Sequence, residues 1–230
     1  MKVTYFGHSS FQVEINGKKI LFDPFISPNE LAKDIAVDSL NPDYIFVTHG
    51  HEDHIADVES IAKRTGAKLV ANYEVINWFA KKGIENNHPM GIGGTRDFDF
   101  GTVKCVNAVH SSSMPDGSYG GQSVGFVFLF IEDEVEKVMY YAGDTALHYD
   151  MNLIQDEFEY VDFAFLPVGD NFTMGMIDAE VAAHYVNADN VIPMHYDTFG
   201  FIKIEQEELK EIFEEFNLEI FKIGEQKELI

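Results

Sequence analysis

The run Thr48-His49-Gly50-His51-Glu52-Asp53-His54 brings three imidazoles and the Asp53 carboxylate together within six residues. Imidazole and carboxylate donors in that mixture suit a borderline-soft divalent ion such as zinc. They are too crowded for one tetrahedral centre. A tight turn instead aims His49 and His51 at one ion and turns Asp53 and His54 towards a neighbour, with Gly50 letting the backbone bend sharply. The competing reading is a solvated polar loop in which Asp53 caps the following helix. Three histidines directly after a buried strand weigh against it.

Two ions require further ligands, and His110, Asp144 (in Gly143-Asp144-Thr145) and His195 stand in the same kind of place. Each follows an apolar strand, so the side chains can converge on one edge of a sheet. A single histidine at a strand end is ordinarily structural, and an aspartate in a turn is ordinarily a cap. It is the recurrence of one placement that marks these three as ligands.

The elements that must position them are legible as alternating patterns. Residues 3–6 and 11–15 read as strands, Asn16-Gly17 as a hairpin turn, and residues 19–22 as the returning strand. Residues 43–48 form a near-continuous apolar strand of the doubly covered kind. Helical spacing follows at 55–64 and 74–82, each stopped by a glycine, with a strand at 68–71 between them. Residues 88–94 read as a glycine-rich loop. Strands follow at 102–109, 122–131, 138–142 and 161–168, then a helix at 178–187, a short strand at 191–192, a helix at 205–216 and a strand at 218–223. No linker interrupts them, so residues 1–230 are expected to form one domain.

Composition narrows the function classes. The 230 residues carry 39 acidic against 16 basic side chains, a net charge of −23, with 46% hydrophobic residues. That apolar share supports a core, and the acid excess argues against nucleic-acid and anionic-membrane binding, which need a basic surface. The one cysteine, Cys105, cannot form an internal disulfide and is expected to be buried in a strand. With no secretory leader pattern and no apolar run long enough to span a bilayer, a cytoplasmic location is expected.

With these motifs in order, the sequence resembles the metallo-β-lactamase fold superfamily along essentially its whole length. Gly7-His8-Ser9, Asp23-Pro24-Phe25, residues 170–175 (DNFTMG) and residues 193–199 (PMHYDTF) make it similar to a bacterial and archaeal subfamily of small metal-dependent hydrolases. That subfamily is similar to L-ascorbate-6-phosphate lactonases and, more distantly, to the phospholipase D that cleaves N-acyl-phosphatidylethanolamine. The resemblance implies an α/β fold, the αβ/βα four-layer sandwich. It implies one divalent metal on His49, His51 and His110, a second on Asp53, His54 and His195, and Asp144 bridging them. Zinc is the first expectation; manganese and iron suit the same donors. Asp23 matches an aspartate that steadies the histidine loop by hydrogen bonds without binding metal.

The chemistry so implied is hydrolysis of a small ester, lactone or phosphodiester by a metal-bridging hydroxide. Asp53 would orient that hydroxide, and His8 is the first candidate for general acid. Asp170, Asn171 and Tyr196 flank the ligand loops and are candidates for substrate contact. His88, His148 and His184 fall outside the ligand pattern, although His148 lies close enough to Asp144 in sequence to approach the pocket. Alternatives are a di-iron redox protein, whose members characteristically carry Glu where His51 stands, and a regulatory binder without turnover. The expected partner is a small molecule, with no nucleic acid or membrane; related lactonases assemble, and apolar loops here would permit a homo-oligomer.

Overall fold

Successive side chains of a strand point to opposite faces, so a strand covered on both sides reads as a continuous apolar run. The computed structural model, which describes residues 1–230, arranges such runs into two seven-stranded sheets. The first contains β1 (Lys2–Gly7), β2 (Ser10–Ile15), β3 (Lys18–Phe22), β4 (Tyr44–Phe46), β5 (Lys68–Ala71) and β6 (Asn87–Pro89). The second contains β7 (Thr95–Phe98), β8 (Gly101–Asn107), β9 (Val124–Glu132), β10 (Val135–Tyr141), β11 (Val161–Pro167), β12 (Ala188–Met194) and β13 (Asn217–Leu218). A last strand, β14 (Gln226–Glu228), returns to pair antiparallel with β1. The orders are β14-β1-β2-β3-β4-β5-β6 and β13-β12-β11-β10-β9-β8-β7.

The main core lies between the sheets. Phe22 stacks on Tyr141 at 4.3 Å between ring centroids, and Phe46 meets Phe126 edge-on at 5.1 Å. In β3, Ile20 and Phe22 join this cluster while Leu21 joins a second cluster on the outer face. There α1 (Glu52–Ile55), α2 (Val58–Thr65) and α3 (Tyr73–Ala80) bury Ile55, Val58, Ile61 and Phe79 against Leu21, Ile45 and Leu69. On the other side α4 (Asn152–Phe158), α5 (Met176–Tyr185) and α6 (Gln206–Ile212) follow, with the alanine face of α5 against β11 and β12. Helix, sheet, sheet, helix is the expected αβ/βα sandwich. No helix is long and apolar enough to cross a membrane.

Strand direction explains why the chemistry gathers on one edge. Strands β3 to β6 run parallel, as do β10 to β13. Two antiparallel steps give β1 the direction of β3 and β8 the direction of β10. His8, Asp23, His49, His110, Asp144 and His195 all follow the C-terminal ends of these co-directed strands.

The structure departs from the sequence pattern in five places. His88 and Pro89, read as part of a loop, belong to the edge strand β6, and the polar edge strand β7 and helix α4 carry too little apolar periodicity to be seen. β14 is three residues long and alternates nothing but exposure. The helix expected at 55–64 is two helices, because Asp57 is tied elsewhere. Its carboxylate accepts from the backbone N–H groups of Ile26 (2.7 Å) and Ser27 (2.9 Å), and its own N–H donates to the Pro24 carbonyl (3.0 Å). Cys105 is buried on β8, and burial pushes its thiol up to about 12, leaving no reactive thiolate.

Candidate metal centre

The turn after β4 does not use Gly50 for a left-handed backbone. A Cβ there would meet the Met114 sulfur and come within 3.2 Å of the Ser113 carbonyl oxygen, so glycine lets the 113–114 segment approach closely. His51 occupies the position before α1 without capping it, and Asp53 sits in the first turn. The Asp53 carboxylate turns away from the helix backbone and accepts from His8 Nε2 at 3.2 Å. The capping alternative is thereby excluded.

Three overlapping donor groups result, each with ligand atoms within 4.8 Å of one another: His49, His51 and His110; His8, Asp53, His54 and His195; and His49, His54 and Asp144. Asp144 is the hub. Its Oδ2 lies 3.0 Å from His195 Nε2, 3.3 Å from His54 Nε2, 3.7 Å from His110 Nε2 and 4.0 Å from His49 Nε2. The imidazoles crowd together: His49 meets His51 and His110 edge-on at 4.6 and 5.0 Å between centroids and lies tilted against His54 at 4.2 Å. His54 Nε2, Asp144 Oδ1 and His195 Nδ1 are buried without any hydrogen-bond partner. Buried polar atoms are ordinarily paired, so a crowd of lone-pair donors around one carboxylate, with orphaned members, fits divalent cations.

Supporting hydrogen bonds fix the donors' orientation. Asp23 is buried and accepts from Thr48 N–H and Thr48 Oγ1, both at 2.8 Å, while its Oδ2 holds His54 Nδ1 at 2.9 Å. That bond leaves His54 Nε2 facing the centre. His8 is buried as well. Burial lowers its imidazole to about 4, against the hydrogen bond it gives to Asp53, so it is neutral at pH 7. A neutral ring can donate from only one nitrogen: Nε2–H goes to Asp53, and Nδ1 accepts from Thr198 Oγ1 at 3.0 Å.

The electrostatics separate the histidines. Burial, with help from neighbouring imidazoles, holds His49 well below the ordinary range and lowers His51 and His110 in the same direction. Burial also opposes a charge on His54, but Asp144 and Asp23 outweigh it and raise that group well above 6.5. Burial would raise Asp144 and Asp53; the facing His195 and His54 hold Asp144 low, and His8 and His54 hold Asp53 low. Both carboxylates are ionised at neutral pH.

The cluster forms the floor of a cavity of about 670 Å³ lined by His51, Asp53, His110, Asp144 and His195, with Ser111, Thr198, Phe172, Phe199 and Phe201 as walls. Of the residues read as substrate contacts, none lines it. Tyr196 is buried with its ring 6.5 Å from Tyr5, and Asp170 and Asn171 hold a left-handed turn that instead presents Phe172. His8, read as a general acid, lies beneath the floor as the partner of Asp53. His148 is removed from the cluster: it lines a separate cavity of about 450 Å³ with Cys105 and α4, and both its ring nitrogens lack partners. His88 lies on β6, and His184 pairs with Glu180 on the surface at 2.8 Å. The wall residues were not foreseen from sequence; the signal was a phenylalanine beside each ligand loop, where a core side chain is not needed.

A family model described as the beta-lactamase superfamily domain matches residues 2–195. A metal-dependent hydrolase of Flavobacterium johnsoniae is 50% identical over 231 residues, covering 100% of each chain. Among solved structures, Igni18, a metallo hydrolase from the archaeon Ignicoccus hospitalis, superposes with a TM-score of 0.86 at 33% identity, over 100% of this chain and 99% of that one. An isothiocyanate hydrolase from Delia radicum gut bacteria shares the fold, with a TM-score of 0.78 at 20% identity, over 100% and 99% of the two chains.

Proposed function

This chain belongs to the beta-lactamase superfamily and, within it, to the UPF0173 metal-dependent hydrolases; from that premise we propose that it holds two divalent ions and hydrolyses a small ester, lactone or phosphodiester. His49, His51 and His110 would hold one ion, and Asp53, His54 and His195 the other, with Asp144 shared. The observation that carries this reading is the position of Asp144 Oδ2, within 4.0 Å of imidazole nitrogens from both groups. Zinc is the first expectation, and the same donors accept manganese or iron. Two divalent ions supply a lowered pKa for water and a counter-charge for the oxygen under attack.

The chain's own residues do the rest. Asp23 fixes the His54 ring through Nδ1 and so commits Nε2 to the centre. His8 takes Asp53 Oδ2 as a neutral donor and keeps that carboxylate ionised and aimed at the cavity, where it can accept a hydrogen bond from the attacking water. His8 therefore acts as a positioning residue. Its two nitrogens are committed to Asp53 and Thr198, so neither is free to protonate a leaving group. Ser111 places on the wall a hydroxyl able to give or take one hydrogen bond from a bound substrate, while the Thr198 hydroxyl, its proton given to His8 Nδ1, can only accept one.

The test is a matched panel of esters, lactones and phosphodiesters presented to protein reconstituted with zinc, manganese or iron. Turnover in at least one class, lost in Asp144→Ala, is expected. Silence in every class with all three metals overturns the hydrolytic reading.

A further inference from the structure

Three large aromatic side chains stand at the mouth of the cavity, well exposed: Phe172 at 50%, Phe199 at 37% and Phe201 at 77% of their full surface. Exposed apolar side chains gathered at one place mark a contact surface, since the same residues would be stabilised by burial elsewhere. They are also held still. Phe172 sits in a turn closed by Asp170 N–H to the Met174 carbonyl (3.0 Å), and Met174 N–H is bonded in turn to the Thr145 carbonyl (3.0 Å) beside Asp144. Phe199 and Phe201 sit in a loop closed by Asp197 N–H to the Ile202 carbonyl (2.7 Å) and Ile204 N–H to Asp197 Oδ1 (3.1 Å).

The two loops are pressed together at their roots. A Cβ on Gly169 would run into the His195 carbonyl oxygen, so the loop that carries Phe172 can lie against the ligand loop only with glycine there. Asp170, Asn171, His195 and Asp197 all adopt left-handed backbone, a cost that persists only where the surroundings fix it. The rings of Phe172 and Phe201 meet edge-on at 6.3 Å, and Phe199 packs on His8 at 5.4 Å and Phe25 at 6.3 Å. The aromatic wall is thus built onto the same strand ends as the donors.

What the cavity lacks in charge is equally informative about its substrate. No lysine or arginine lines it, nor the adjoining depression reached past His110 and Ser111, where Tyr119 and Gln122 stand. Recognition of a phosphate group ordinarily uses such a cation, in bidentate form or as a point charge. Beyond the ions on the floor, then, no side chain of the lining supplies a cation for a phosphate oxygen.

Resting on the hydrolase reading above, we infer that the substrate is an uncharged carboxylic ester or lactone with an apolar body, seated between Phe172, Phe199 and Phe201 while its carbonyl meets the floor. In that reaction water's oxygen bonds to the carbonyl carbon and the C–O bond to the alcohol oxygen breaks. Of water's two protons, one passes to the alcohol oxygen and the other to solvent, so the acid is released as carboxylate. Phosphodiesters fall outside the class.

The test compares kcat/KM for 4-nitrophenyl hexanoate, 4-nitrophenyl acetate and bis(4-nitrophenyl) phosphate on metal-loaded protein, alongside affinity for the uncharged fluorophore N-phenyl-1-naphthylamine. Wild type should favour hexanoate over acetate, and both over the phosphodiester. In Phe172→Ala/Phe201→Ala the hexanoate-to-acetate ratio should fall by about tenfold, because removing apolar contact area costs the larger acyl group more. Affinity for the fluorophore should fall with it. Phe172→Leu/Phe201→Leu should recover part of both, since leucine restores apolar surface without the ring. A ratio unchanged in the alanine variant, or a wild-type preference for the phosphodiester, overturns the inference. If no substrate turns over, the hydrolase reading fails and the fluorophore decides alone: affinity that depends on the phenylalanines upholds an apolar site, and affinity that does not overturns it.

Discussion

The two donor groups that share Asp144 are built differently. His54 is braced by Asp23, Asp53 by His8, and His8 in turn by Thr198, and these imidazoles are sealed from solvent. Across Asp144, His49 is equally buried and meets Thr48 Oγ1 at 3.0 Å, but His51 and His110 are only partly buried, and beyond His49 itself (2.9 Å) His51 has only Ser111 Oγ at a marginal 3.5 Å. The first arrangement, the closed one, is braced by hydrogen bonds at both His54 and Asp53, although Asp53 and His195 also reach the cavity; the second, the open one, is braced only at His49 and presents His51 and His110 to the cavity. Fixed donors bind tightly because little freedom remains to lose, whereas a looser, wetter set exchanges with solvent and admits substrate. A chelator should therefore strip the His49/His51/His110 position before the Asp53/His54/His195 position.

The largest expected effect comes from the residue common to both groups. Asp144→Ala should release at least one ion and lower kcat/KM by about a thousandfold or more, seen in metal content and steady-state rates. Asp23→Ala should weaken the closed position by about 10- to 100-fold, enough to reverse the order of release to the chelator. An order that survives this change would show that the brace does not set the difference.

Smaller effects sharpen the same contrast. His8→Ala should weaken the closed position by about tenfold, and Ser111→Ala should change the open one by less than about threefold, both measured by metal titration. Proton release distinguishes the positions without any substitution. In the metal-free protein Asp144 and Asp23 raise His54 and favour its proton, while burial lowers His49, His51 and His110 and favours their neutral form. An ion must displace the proton from His54, so affinity at the closed position should increase with pH until the raised His54 value is passed. The open position has no such proton to lose at pH 7 and should be nearly flat there. Calorimetry in buffers of different ionisation enthalpy should show about one more proton released at the closed position.

The donors themselves were legible because local order carries them: a histidine run after a doubly covered strand, then single ligands after others of the same kind. The parallel strands β4 and β11 were legible for the same reason, being apolar on both faces. Edges were not. Asn87-His88-Pro89 becomes a strand only because β5 offers it a free side, which no local propensity records. The support of the site was hidden by distance in the chain, since His8 and Thr198 stand 190 residues apart and meet only after both sheets have formed. The phenylalanine wall was hidden by ambiguity: an aromatic residue beside a ligand reads equally well as core until its exposure is known.

Two separable ions sharing one carboxylate are tested most directly by the metal content of protein purified without chelator. The expected result is close to two transition-metal ions per chain, falling to about one in His110→Ala and to about one in His195→Ala. A wild-type protein holding no ion, or a single ion lost in one of these variants and untouched in the other, would contradict it.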